Sequence, residues 1–110
     1  MTKVLWLSRH SPTSRQKKDL KKIFGNSIRI VQRADKIEYP TDVLMMMEEH
    51  KADEVVAVLP IWMIGELLEW GVEPIKAVME RLWNDNGNAD FRHKYFKRYK
   101  KVEIETKKLC

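Results

Sequence analysis

A chain of 110 residues, 44% hydrophobic and 34% charged, has room for one ordinary domain and enough apolar side chains for a core. The net charge is +5, and the single cysteine is the last residue, Cys110, which excludes an internal disulfide framework and a cysteine metal cluster. The longest apolar run, residues 55–63, is broken by Pro60 and too short to span a membrane, and no charged-then-apolar leader opens the chain, so a cytoplasmic protein with no membrane partner is expected.

Residues 3–7, Lys-Val-Leu-Trp-Leu, are apolar and β-prone and read as a short buried strand. Thr13 and Gln16 then have the spacing of a capping box, with Pro12 just before; Leu20, Ile23 and Phe24 supply the apolar stripe of a helix that Gly25 stops. Residues 28–32 read as a second strand and 35–40 as a loop. Thr41 or Asp42 can cap a second helix, with Val43, Leu44, Met47 and His50 along one side. Residues 54–59 make the clearest strand, because the run from Val55 to Leu59 reads as buried on both faces. Pro60 suits the first turn of a third helix that reaches Trp70 and ends at Gly71.

Residues 75–83 fit two templates. Ile75, Val78, Met79, Leu82 and Trp83 fill every apolar position of a helix, which Pro74 could open. Asn86-Gly87, however, is the dipeptide that best suits a type I′ hairpin turn, and strand is the preferred reading for residues 75–81. Residues 91–98 stay open, and residues 100–107 read as a strand with Val102 and Ile104 on one face.

This alternation predicts a single three-layer α/β domain over residues 1–110, with a mainly parallel sheet and right-handed crossovers. The expected order is second, first, third, fourth, with an antiparallel C-terminal strand at or near an edge. The expected core is Val4, Leu5, Leu7, Leu20, Ile23, Phe24, Ile28, Ile30, Leu44, Met47, Val55, Val56, Val58, Leu67 and Leu68.

The positive charge is concentrated. Residues 15–22 carry +4 and residues 90–101 carry +5, leaving the other 90 residues at −4. Such segments attract polyanions. In the second, Arg92, Lys94, Lys97, Arg98, Lys100 and Lys101 are interleaved with Phe91, Tyr95, Phe96 and Tyr99. That pattern suits base stacking over a phosphate-binding surface, and so a non-enzymatic DNA- or RNA-binding module. It equally describes a strand with one buried face.

In open α/β sheets, ligands bind beyond the carboxyl ends of the strands. Here the first strand runs into Ser8-Arg9-His10-Ser11-Pro12-Thr13. The helix start that follows favours an anion through its free amides and dipole. Arg9 can grip a phosphate in a bidentate way and His10 can move a proton near neutral pH. Ser8 and Thr13 complete the candidate ligand set, although turn bonding and helix capping account for them equally well. The second strand end offers Gln32, Arg33, Asp35 and Lys36, the third Leu59, Pro60, Ile61 and Trp62. A site here is cationic on one side and apolar on the other, which fits a nucleobase-plus-phosphate ligand. No glycine-rich phosphate fingerprint, metal-ligand spacing or nucleophile elbow is present, so no cofactor and no metal are expected.

The run from Val4 to Leu20, a short strand followed by Ser-Arg-His and then Pro-Thr-x-x-Gln-x-x-x-Leu, resembles a group of small prokaryotic Rossmann-like proteins. More distantly it is similar to the small CRISPR-associated proteins with a Rossmann-type fold, some of which bind or cleave cyclic oligoadenylate. Ala57-Val58-Leu59-Pro60 and Gly71-Val72-Glu73-Pro74-Ile75 extend the likeness. The resemblance implies a ligand site at the loop after the first strand, carried over to Ser8, Arg9, His10 and Thr13, and a homodimer. The leading expectation is a nucleotide- or oligonucleotide-binding protein. If it also cleaves, the substrate's own 2′-hydroxyl is the nucleophile, His10 the general acid or base, and Arg9 the group that stabilises the phosphorane without a metal. A homodimer is expected on independent grounds too, since Ile61, Trp62, Ile64, Leu67, Leu68 and Trp70 spread over more than one stripe of the third helix. A purely structural, partner-binding role is the third reading.

Overall fold

The computed structural model describes residues 1–83 and 85–101. Their elements run β1 (Lys3–Leu7), α1 (Ser14–Phe24), β2 (Arg29–Arg33), α2 (Pro40–His50), β3 (Glu54–Ala57), α3 (Ile61–Glu69), β4 (Ile75–Trp83) and β5 (Ala89–Arg98). The sheet order is β2-β1-β3-β4-β5; the β1–β2, β1–β3 and β3–β4 pairs are parallel, and β4–β5 is antiparallel. This is the expected three-layer, Rossmann-like α/β architecture. No helix among the described residues is long and apolar enough to cross a membrane.

Local chemistry explains the helix ends. The Thr13 hydroxyl accepts the Gln16 amide at 3.1 Å, and the Gln16 side chain accepts the Thr13 amide at 2.9 Å. Gly25, at φ +102°, ends α1 in a conformation that a Cβ would strain. In α2 the capping position falls to Tyr39 rather than Thr41 or Asp42. Pro40 opens the first turn, and Asp42 reaches back to accept the amides of Glu38 and Tyr39 at 3.0 and 2.9 Å.

The period of two along each strand splits the core into two halves. Val4, Trp6, Val56 and Ile75 pack under α1 around Leu20, with Phe24 and Phe96 at the margin. Leu5, Val55 and Ala57 face the other way, against Val43 and Met46 of α2 and Leu67 of α3. Full burial of a leucine such as Leu5, Leu20 or Leu67 is worth about 1.5–3 kcal/mol. Two expected core residues lie outside. β3 ends at Ala57, so Val58 stands on the crest of the sheet at 91% exposure, and Ile23 falls on the solvent side of α1. In α2 it is Met46 that enters the core, with Leu44 and Met47 half-buried beside it.

Residues 75–83 are strand. The helical template fits because apolar side chains occupy both faces of β4. β3 and β4 share the single register pair Val56–Ile75, whereas β4 and β5 pair from Ile75–Arg98 out to Trp83–Ala89. Beyond Ile75 the two strands therefore form a ribbon that runs past the carboxyl end of β3 for about 25 Å. β4 ends at Trp83 and β5 begins at Ala89, farther apart in sequence than a two-residue turn would place them. The edge strand is β5; Lys100 and Lys101 follow it rather than belonging to a strand, and residues 102–107 lie outside the described residues.

Candidate functional site

The chain leaves β1 toward α1 and β2 on one side, while β3 lies on the other. The carboxyl ends of β1 and β3 thus form the crevice where strand order reverses. The loop across this crevice is tied on several sides. The Ser8 amide donates to the Arg33 carbonyl at 3.0 Å, extending the β1–β2 ladder by one step. Gln32 at the end of β2 then holds the loop by both ends of its amide: Nε2 donates to the Ser8 carbonyl at 3.0 Å, and Oε1 accepts the Ser11 hydroxyl at 2.9 Å. The Trp6 indole donates to the His10 carbonyl at 2.8 Å, and the His10 amide donates to Ser8 Oγ at 3.1 Å. Both backbone groups of Ser8, His10 and Thr13 are hydrogen-bonded, so the loop is held at three points along its length.

Two hollows meet at this crest. On the α1 side a cavity of about 290 Å³ is lined by Trp6, Val58, Ala77 and Met79, with Ser8, His10, Ser11, Thr13 and Gln16 around its mouth. On the α2–α3 side a second, of about 220 Å³, is lined by Arg9, Asp35, Lys36, Ile37, Leu59 and Pro60. Leu7, Ser8, Ala57 and Val58 belong to both. The strand ends do not divide as expected: Asp35 and Lys36 after β2 share the second hollow with Leu59 and Pro60 after β3, and the apolar hollow is built from β1, β3 and β4 instead. Arg9 and His10, assigned in the sequence to one phosphate, line different hollows. Thr13 sits with His10, its hydroxyl oxygen already engaged as the helix cap.

Arg9 is exposed and makes no side-chain hydrogen bond or ion pair among the described residues. Arg33, at the next strand end, is fully engaged. Its Nε and Nη2 donate to the two oxygens of Asp35 at 2.8 Å each, and its Nη1 reaches Glu49 at 3.3 Å and His50 Nε2 at 2.9 Å. The Asp35 bond raises the Arg33 pKa, and Arg33 in turn holds the Asp35 carboxyl below its usual range. The Asp35 charge that faces the second hollow is thus compensated from behind.

The basic segment 90–101 is divided by the sheet. Arg98 donates to Glu54 at 2.7 Å, which raises its pKa, and lies 6.0 Å from the Phe24 ring under α1. Arg92 pairs with Glu80 at 3.0 Å and Lys100 with Glu73 at 3.1 Å; Lys101 also has a partner. Lys94 and Lys97 stand over the Tyr95 ring, at 5.8 and 5.9 Å from its centroid. Phe96 turns inward against Trp6, edge-on at 6.2 Å. Arg98 and Lys100 therefore tie the end of β5 to the body, while Arg92 ties β5 to β4.

Sequence reasoning missed the roles of two residues. Gln32 organises the loop, and only its position at the strand end beside a serine-rich turn could have flagged it. His93 is buried, its side chain 1% exposed; Nε2 donates to Asp19 of α1 at 2.8 Å and Nδ1 has no partner. It fastens α1 to β5. Among the described residues no cluster of His, Cys, Asp or Glu is arranged to hold a metal ion. Comparison with known proteins found no family model that matches this chain, no matching curated protein and no matching solved structure.

Proposed function

We propose that the protein binds a phosphorylated nucleobase across the crest between β1 and β3. The base enters the apolar cavity on Trp6, Ala77 and Met79. The phosphate crosses Ser8 and Val58 to meet Arg9 and Lys36 in the second hollow. The observation that carries this reading is the junction itself: an apolar and a cationic hollow share one wall, beside Arg9, a strand-end arginine with no side-chain partner among the described residues. A cavity of about 290 Å³ is at the small end of the usual ligand range, which suits one base rather than a large cofactor. The resemblance to small CRISPR-associated Rossmann-type proteins makes oligoadenylates, linear or cyclic, the first ligands to try.

Binding is favoured over cleavage, because the two residues that would serve one phosphorus line different hollows. The segment 91–101 is a weaker candidate for the nucleic-acid surface, since Arg92, Arg98 and Lys100 are ion-paired within the chain. A nucleotide ligand accords with a cytoplasmic setting. The partner surface is α3, where Ile61, Trp62 and Trp70 are exposed, and two copies pair there as a homodimer.

Titration with AMP, ATP, and linear and cyclic oligoadenylates, followed by tryptophan fluorescence, tests the ligand directly because Trp6 lines the cavity. A saturable change with one of them supports the reading; no change with any of them removes it.

A further inference from the structure

We propose that the α1-facing side of the β4–β5 ribbon is a stacking platform for further bases, so that the ligand is a single-stranded oligonucleotide rather than a mononucleotide. This rests on the strand-end reading above and extends it.

The platform starts at the cavity. Met79 lines the cavity wall, and the period of two places Arg81 and Trp83 on the same face farther along β4. Phe91 lies directly opposite Arg81 on β5. The Arg81 guanidinium stands 5.3 Å from the Phe91 centroid and 5.6 Å from that of Trp83. Both rings face solvent, at 61% and 68% exposure. The result is a continuous ladder of thioether, guanidinium and aromatic faces leading away from the candidate base pocket. Such surfaces hold unpaired bases, because every base has a π-face to stack.

Charge selects the occupant. The carboxylates of the ribbon point away from this side: Glu80 pairs with Arg92, and Asp90 is opposite Leu82, all on the other face. Arg81 therefore faces outward without an acidic neighbour across the ribbon. On α1, Arg15 precedes Asp19 by one helical turn, and Asp19 is bonded to His93 at the foot of the ribbon. Arg15 thus lies one turn nearer the tip, beside the same face. An aromatic surface between two arginines, with Asp19 at its foot already bonded to His93, continuous with a base-sized cavity, fits a single-stranded polyanion. A duplex would hide its base faces.

The test compares AMP with RNA adenylates of two, three, four and six nucleotides, at fixed salt, for the parent protein and for Phe91→Ala, Trp83→Ala and Arg81→Glu. All three positions are exposed, and thermal unfolding checks that each variant is folded. Binding should tighten by about tenfold for each base that stacks and level off within a few nucleotides. Each substitution should erase most of that gain while leaving AMP affinity as it was. The proposal is overturned if AMP binds and longer RNA binds no tighter, or if the variants bind hexa-adenylate like the parent. It is also overturned if the substitutions only turn a dimer into a monomer, for the patch would then belong to a second copy. Failure of AMP and all the RNAs together would instead strike the strand-end reading and take this extension with it.

Discussion

Arg9 and Arg33 sit at the ends of neighbouring parallel strands, and in the sequence they look alike: each follows an apolar strand and enters a polar loop. The fold treats them differently. Arg33 is surrounded by Asp35, Glu49 and His50, and each of its three nitrogens meets a partner within the chain. Arg9 sits on a loop whose hydrogen bonds are supplied by Gln32 and Trp6, and its guanidinium is left over. The same contrast separates Arg98, drawn down onto Glu54, from Arg81 on the open ribbon. A cation neutralised by carboxylates of its own chain supports architecture, and one paired with no carboxylate is available to an anionic ligand.

Exchanging roles gives the largest effect. Arg9→Ala should lower nucleotide affinity by about tenfold or more, the loss of a charge-assisted pair, and leave thermal stability unchanged. Arg98→Ala should do the reverse: about 1–2 kcal/mol of stability is lost because half-buried Glu54 is left unpaired, and affinity for AMP holds. Calorimetric titration and thermal unfolding of both variants would show whether the division is real; equal losses in both assays would dissolve it.

Next comes the frame. Gln32→Ala removes both bonds that hold the loop, at Ser8 and Ser11. Affinity should fall several-fold, with a stability loss of about 1 kcal/mol. An unchanged affinity would mean that the loop needs no such restraint. A related substitution addresses the partner surface. Trp62→Glu on α3 should convert a dimer of about 26 kDa, twice the 13.1 kDa chain, into a monomer in light scattering while ligand binding persists. A parent protein that is already monomeric would end that proposal.

The smallest effect concerns acid. Asp35 is held below its usual value of 3.8 by Arg33, so the folded state favours the carboxylate. A depressed carboxyl contributes stability above its unfolded pKa and loses it as the pH falls through the folded one. The stability difference between the parent and Asp35→Asn should therefore be constant from about pH 7 to 5 and shrink below about pH 4. A difference that grows in acid would reverse the sign.

Much of this was legible in the chain. The capping box at Thr13 and Gln16 and the strand order follow from local patterns and the handedness of crossovers. What escaped detection depended on long-range partners. Nothing near Arg98 announces Glu54, 44 positions earlier, and nothing near His93 announces Asp19. The five apolar residues from Val55 to Leu59 hid a strand end within them, which is why Val58 was expected inside. Arg9 and His10 are adjacent in sequence, yet a loop that crosses a sheet crest sends neighbours to opposite sides.

The irregularity in the ribbon has a consequence for life at high concentration. The register jumps between Val78 and Met79, so Lys94 has no residue opposite it on β4. β5 is a long outer strand, the sort of rim onto which a stray chain can zip by main-chain bonding. Lys94 interrupts that rim at its middle and Arg92 and Lys97 flank it, so an incoming strand meets a kink and three like charges. A ribbon so exposed can remain dissolved because its outer rim refuses extension.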